Sequence, residues 1–245
     1  MKVLAIIPAR YGSTRFPGKP LALIAGRPMI QWVWEGVSHI NAITDIIVAT
    51  DDTRIFDAVQ GFGGHAMMTA TTHRSGTDRC GEVLDRIDSD ADVIVNVQGD
   101  EPRVEHSQIE LLTSCFENPK VQIATLKKQI TTTNDLFSPN VVKVVDNLLG
   151  NAIYFSRNPI PFVRGITNEE WLQQHKFYKH IGIYAFRREV LRQVVRLPQS
   201  QLETSESLEQ LRWLENGYSI AIRETNAENI GVDTPEDLAK LQMGL

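Results

Sequence analysis

The chain has 245 residues, 42% apolar and 22% charged, enough for one α/β domain with a substantial core. Its net charge of -5 excludes the broad basic face of a nucleic-acid-binding protein, and no apolar run approaches the ~20 residues that cross a bilayer. Cys80 and Cys115 stand far apart without metal-ligand spacing, so two reduced, partly buried thiols are expected rather than disulfides or a zinc site. Met1-Lys2 leads straight into an apolar run instead of a signal peptide, which makes the cytoplasm the expected location.

Val3-Leu4-Ala5-Ile6-Ile7 is too short and too β-branched for a helix, and predicts a buried first strand. It empties into Pro8-Ala9-Arg10-Tyr11-Gly12-Ser13-Thr14-Arg15-Phe16-Pro17-Gly18-Lys19-Pro20, a basic loop placed where open α/β sheets bind ligands. Gly12 and Gly18 free the backbone to aim N–H groups at an anion, while Arg10, Arg15 and Lys19 add mobile positive charge. A polyphosphate is the natural guest. The loop is not a Walker A motif: five residues separate its glycines where that motif has four, and Pro20 stands where a magnesium-binding Ser or Thr belongs.

Helical spacing follows over 28–37, with Pro28 suited to a first turn. A second strand over 46–50 leads to a helix over 54–62. Gly61-Phe62-Gly63-Gly64-His65-Ala66 fits G-x-G-x-x-A but ends a helix and enters a strand, the reverse of a dinucleotide-binding turn, and is assigned as a helix stop. Arg74-Ser75-Gly76-Thr77-Asp78-Arg79 opens the next helix; Ser75 or Thr77 can cap it, and the flanking arginines favour an anion at its positive end. The strand over 92–97 ends in Gln98-Gly99-Asp100, where a carboxylate can hold a metal against phosphate oxygens. Asp233, just before a Thr234-capped helix, is the expected matching carboxylate. This alternation predicts a doubly wound, mostly parallel sheet.

From about residue 134 the alternation weakens. Segments 141–146 and 151–156 flank a hairpin-like turn, and 157–179 match no regular βα unit. A strand over 178–186, an amphipathic stretch over 188–195, a helix over 206–217 and a strand over 218–223 complete the chain. His180 alone among the histidines sits beside both a lysine and an aromatic strand. Glu209, Gln210 and Arg212 have the pattern of a solvated or interfacial helix face.

The opening loop resembles the signature of the sugar-activating cytidylyltransferases, most closely the 3-deoxy-manno-octulosonate (Kdo) cytidylyltransferases. The resemblance continues through 74–79, 95–102, 154–157, 179–184, 208–212 and 231–238 in family order, and is weakest over 164–178. It implies a nucleotidyltransferase fold of the GT-A-like type, one domain over 1–245, with a CTP-binding half over 1–130. A small dimerisation lobe over about 134–180 and a segment 181–245 completing the sheet and the sugar and metal site are also implied. The implied reaction is Mg2+-dependent transfer of CMP from CTP to Kdo by a homodimer, for lipopolysaccharide biosynthesis. Lys19, Arg10, Asp100 and Asp233 would be catalytic, with Asp100 and Asp233 on the metal. Ala9, Arg10, Ser13, Lys19, Arg74, Ser75, Gly76 and Gln98 would bind the nucleotide. Gln98, Arg157, His180, Tyr184, Glu209 and Gln210 would bind the acidic sugar. The rival readings are activation of 8-amino-Kdo or of sialic acid, and a non-catalytic nucleotide-binding protein.

Overall fold

In a computed structural model, which describes residues 1–12, 16–228 and 231–243, the elements follow one another as strand, loop and helix from the amino terminus. They are β1 (Val3–Ala9), β2 (Leu23–Ile24), β3 (Arg27–Pro28), α1 (Met29–Ser38), β4 (Asp45–Thr50), α2 (Thr53–Gly61), β5 (Ala66–Met68), α3 (Gly76–Arg86) and β6 (Val93–Asn96). Then come α4 (His106–Ser114), β7 (Ile123–Gln129), α5 (Thr133–Phe137), β8 (Lys143–Asp146), β9 (Ala152–Ser156) and α6 (Trp171–Gln174). The chain closes with β10 (Tyr178–Arg187), α7 (Arg188–Val194), α8 (Gln201–Glu206), α9 (Glu209–Glu215), β11 (Ile220–Glu224) and α10 (Pro235–Met243).

The main sheet runs β11-β7-β10-β6-β1-β4-β5, with β8 and β9 off that path. β1 pairs in parallel with β4 and β6, and β7 with β11, while β10 is antiparallel to both β6 and β7. The expected doubly wound, mostly parallel sheet is therefore present. The antiparallel β10 joins its two halves.

Alternation along β1 explains the layering. Val3, Ala5 and Ile7 pack with Ile30, Val33 and Val37 of α1 and with Ile55 and Val59 of α2. Leu4 and Ile6 face the opposite layer, against Cys80, Val83 and Leu84 of α3, Leu191 and Val194 of α7, and Leu211 and Trp213 of α9. Each such side chain contributes about 1.5–3 kcal/mol on burial. Because both faces are covered, β1 reads as a continuous apolar run instead of an alternating one. Its ligand-bearing loop is thereby anchored in the centre of the molecule.

β8 and β9 form the anticipated hairpin, pairing antiparallel through Val144↔Phe155. Its turn is closed by a hydrogen bond from Gly150 N–H to the Asn147 carbonyl, 2.9 Å, with Gly150 at φ 74°. The hairpin touches the main sheet through Lys179↔Lys143. The glycine-rich segment after α2 is a helix stop as expected: Gly63 has φ 83° and β5 starts at Ala66. Both cysteines are free and buried. No helix among the described residues is long and apolar enough to cross a membrane.

The helix expected over 206–217 is shorter, running from Glu209 to Glu215, and Glu206 instead ends the preceding helix α8. Ser207 adopts a left-handed conformation, φ 52°, between α8 and α9. The face expected to be solvated is enclosed: Gln210 is 5% and Arg212 6% exposed.

Candidate active site

A cavity of about 280 Å³ opens at the carboxyl ends of β1 and β6. Its walls include Ala9, Arg10, Lys19, Arg74, Ser75, Gly76, Gln98, Asp100 and Asp233, so the four stretches marked in the sequence converge on one space. Ser13 and Arg15 lie outside the described residues.

Lys19 reaches the cavity because of its local turn. Gly18 has φ 73°, its N–H donates to the Tyr11 carbonyl at 2.9 Å, and a Cβ there would sit 3.1 Å from the Tyr11 ring. Lys19 then starts a short 3-10 turn with Pro20. On the far side of Tyr11, the Arg54 guanidinium stacks 3.3 Å from the ring centroid and is held by Asp52 at 2.6 and 2.9 Å. The lysine ammonium donates to Asp100 Oδ2 at 2.6 Å and lies 3.4 Å from Asp233 Oδ1. Backbone pairing brings the two aspartates together: Val232 N–H donates to the Asp100 carbonyl at 2.9 Å. Behind Asp233, Thr234 and Asp237 cap α10 reciprocally, at 3.2 and 3.1 Å. Thr234 thus caps the helix as foreseen, while Asp233 stands outside the cap and faces Lys19.

Two carboxylates are hard oxygen donors suited to Mg2+, which commonly takes one or two protein carboxylates and completes its shell with phosphate oxygens and water. Among the described residues no cluster of three His, Cys, Asp or Glu side chains is placed to cage a metal. The donor set therefore fits an ion shared with a phosphorylated substrate.

The α3 start forms the opposite wall. Ser75 and Asp78 make a reciprocal capping box. Glu209, from α9, accepts from Ser75 Oγ at 2.8 Å and Thr77 Oγ1 at 2.7 Å, and from Arg212 Nη2 at 2.7 Å. Burial pushes its carboxyl pKa up, while the two hydroxyls and Arg212 pull the other way. Glu209 thus ties the helix start at this cavity to α9.

Glu209 also lines a larger groove of about 770 Å³, with Arg74, Ser207 and Arg212. Lys19, Asp100 and Asp233 line the smaller space and not the larger groove. His73, Arg74 and Ser75 border both, making the two spaces neighbours.

His180 and Tyr184, on β10, come together with ring centroids 5.2 Å apart. His180 Nε2 lies 2.9 Å from Thr125 Oγ1, and burial lowers its pKa to about 3. The Tyr184 hydroxyl is buried without a hydrogen-bond partner, as is Asn96 Oδ1 on the neighbouring strand. An unpaired buried polar atom costs about 1–3 kcal/mol. A ligand that supplied the missing partner would recover part of that. Gln98 Nε2 donates to the Gly182 carbonyl at 3.0 Å, fixing the β6 exit against β10.

Arg157 is not in the lining of these cavities. Its guanidinium donates to the carbonyls of Glu206 at 2.7 Å, Pro139 at 2.9 Å and Ser207 at 3.4 Å. Its guanidinium is thus held at the α8–α9 junction, beside the larger groove that Ser207 lines.

Sequence reasoning missed His73 as a cavity residue and read Arg79 only as a cation flanking the α3 start. Arg79 is 3% exposed and pairs with Asp51 at 2.8 Å, bracing α3 against the end of β4. His73 contacts Glu82 at 2.5 Å. Burial alone would raise the Glu82 pKa, but the Ala70 N–H, His73 and Arg86 outweigh it and hold the carboxyl at about 2.

A parallel sheet with a basic loop and two converging carboxylates at its carboxyl edge defines a nucleotidyltransferase site. The chain belongs to the cytidylyltransferase family, whose model matches residues 4–224. It is 54% identical to the 3-deoxy-manno-octulosonate cytidylyltransferase of Parabacteroides distasonis, over 98% of this chain and 96% of that protein. It is 51% identical to the protein of the same name from Geobacter sulfurreducens, over 98% of each. A solved structure of CMP:2-keto-3-deoxy-manno-octonic acid synthetase complexed with CTP superposes with a TM-score of 0.91 at 44% identity, covering 99% of this chain and 98% of that one. The 4-diphosphocytidyl-2C-methyl-D-erythritol synthase of Anaerococcus prevotii, 14% identical with a TM-score of 0.64, shares the fold.

Proposed function

We propose that this chain transfers CMP from CTP to the anomeric hydroxyl of Kdo, releasing pyrophosphate and supplying activated Kdo for lipopolysaccharide. The observation that carries the reading is the convergence of Lys19, Asp100 and Asp233 opposite the α3 start in one cavity. Full-length relatives bearing the Kdo cytidylyltransferase name support Kdo over 8-amino-Kdo or sialic acid. The retained carboxylates and lysine speak against a non-catalytic nucleotide binder.

In-line displacement at phosphorus needs positioning and charge stabilisation rather than a covalent residue. Arg10 and Lys19 hold the triphosphate and stabilise the departing pyrophosphate. The free N–H groups and positive end of α3, with Ala9, Ser75, Gly76, Arg74 and Gln98 around them, seat the nucleotide; Ser13 belongs to the same group by sequence. Asp100 and Asp233 would hold Mg2+, which when bound would lower the pKa of the attacking hydroxyl and offset phosphate charge. Lys19 leaves the two carboxylates as it takes up phosphate. Gln98, His180, Tyr184, Glu209 and Gln210 orient the sugar, and Arg157 meets its carboxylate. Three of the five guanidinium N–H groups are committed to carbonyls, which leaves one on each terminal nitrogen for that carboxylate.

The working form is a cytoplasmic homodimer in which residues from about 134 to 180 form the dimerisation lobe, alongside a nucleotide half over 1–130. Leu148, Leu149, Ile153 and Phe162 are large, exposed apolar side chains of that lobe, as a buried subunit contact requires. Asp100→Asn tests the site: turnover should fall at least about 100-fold, the order of loss expected when a group stabilising transition-state charge is removed. Its thermal unfolding should match the parent's. Near-parental turnover would remove Asp100 from the reaction.

A further inference from the structure

Lys143 is fully buried, yet among the described residues no carboxylate lies within hydrogen-bonding distance of its ammonium. It donates instead to three backbone carbonyls: Ser138 at 2.8 Å, Val141 at 2.6 Å, and Arg157. Taking an ammonium out of water is costly unless its donors are all met. Such a group is sustained here by pinning three chain segments at once: the α5 exit, the approach to β8 and the exit of β9. The other polar group of the Arg157 main chain is also held by a charged side chain. Glu206 Oε2 accepts from Arg157 N–H at 2.9 Å, and Oε1 accepts from Ser156 Oγ at 2.7 Å. Opposite charges therefore grip the carbonyl and the N–H of one residue.

The same residue's guanidinium then spans the α8–α9 junction, donating to the Glu206 and Ser207 carbonyls. Ser207 occupies the left-handed conformation that ends α8 and turns the chain into α9. Two positions further on, Glu209 binds Ser75 and Thr77 at the start of α3. A continuous polar web thus runs from the β8–β9 hairpin to the nucleotide-side cavity, with Arg157 at its midpoint.

We propose that Lys143 and Glu206 are positioning residues for the acidic sugar, clamping the Arg157 main chain so that its guanidinium presents a fixed fork to the sugar carboxylate. The proposal rests on the assignment of Arg157 to that carboxylate under the proposed function. A planar guanidinium binds a carboxylate well only when its plane and its two N–H directions are set in advance. The clamp sets them through the backbone and leaves the fork's outer edge to the ligand.

The test is a double-mutant cycle on the full-length enzyme, with KM for Kdo and for CTP measured separately. Glu206→Ala removes both acceptor oxygens and keeps the backbone carbonyl that Arg157 also uses. It should raise KM for Kdo roughly tenfold and leave KM for CTP within about twofold, the split expected of lost ground-state binding to one substrate. Glu206→Gln retains an acceptor for the Arg157 N–H and should recover most of the loss, which a charge-only role would not allow. In an Arg157→Ala background, Glu206→Ala should cost little more, because both changes act through one group. Lys143→Met should behave as Glu206→Ala does; should it fail to fold, the Glu206 cycle decides alone. Fully additive losses of Arg157→Ala and Glu206→Ala would overturn the clamp while leaving the carboxylate assignment standing. An unchanged KM for Kdo in Arg157→Ala would overturn the assignment and the clamp with it.

Discussion

Gly99 is the point at which the two halves of the site touch. A Cβ built there would lie 2.7 Å from the Pro8 carbonyl oxygen and 3.5 Å from Ile7 Cγ2. The first contact is roughly 0.5 Å too short, and its partner is backbone at the end of β1, so no side-chain rotation relieves it. Gly99 has no positive φ, so space and not conformation is what an alanine lacks. Relief requires moving either the β1 exit that leads to Arg10 or the turn that carries Asp100. Gly99→Ala should cost about 1–3 kcal/mol of stability, the range for overpacking a filled site. Displacing reacting groups by a fraction of an ångström up to 1 Å can cost on the order of 100-fold in rate, so turnover should fall by roughly 10–100-fold. The assay is pyrophosphate release from CTP alongside a thermal melt. Gly61→Ala is the control, since a Cβ there meets nothing within 4 Å; it should leave rate and stability near parental. Parental turnover in Gly99→Ala would refute the claim that the β1 exit and the Asp100 turn are held in fixed register for the reaction.

Lys19→Met removes a charge-assisted hydrogen bond worth about 1.5–3 kcal/mol, so KM for CTP should rise roughly 10- to 100-fold. The same change frees Asp100 and Asp233 from their cation, and Mn2+ should bind the nucleotide-free variant about tenfold more tightly than the parent; an unchanged response to CTP would take Lys19 out of the site. His180 gives a pH signature. Its pKa falls from 6.5 unfolded to about 3 folded, so the unfolded chain binds the extra proton between those values. Its contribution is complete above the unfolded value and is lost as pH falls toward the folded one. Urea titrations should show a loss of about 1–2 kcal/mol between pH 6.5 and about pH 5, ahead of most carboxylate titration, and His180→Phe should flatten that slope. Parallel profiles for parent and variant would contradict a buried, neutral imidazole.

The parts of the fold legible in the sequence were those whose signal is local. β1 announced itself by an apolar run buried on both faces, α3 by Ser75 and Thr77 as candidate caps, of which Ser75 is the one used, and the hairpin by its Asn147–Gly150 turn. The loop and Asp100 were legible because a strand's carboxyl end in an α/β sheet is a known place for ligands. Asp233 needed more than position, since its partner is 133 residues away and their approach depends on the backbone bond from Val232 to Asp100. The α9 face misled for a related reason. Glu209, Gln210 and Arg212 have the composition of a solvated surface, and only the placement of α9 against α8 and β9 and beside the α3 start encloses Gln210 and Arg212 and gives Glu209 its hydroxyl partners. The break at Ser207 was hidden because a serine in a left-handed turn carries no glycine signal. The grip on Arg157 was invisible because it joins residues 143, 157 and 206 through space.

The central claim is that this cavity joins CTP to Kdo. The most direct test is pyrophosphate release by the purified chain with CTP and Mg2+, supplying Kdo, 8-amino-Kdo or N-acetylneuraminate in separate reactions. Rapid release with Kdo, slower release with the other two, and none with Asp100→Asn is the predicted result. Preference for another sugar would contradict the substrate, and silence with all three from a folded protein that binds CTP would contradict the activity itself.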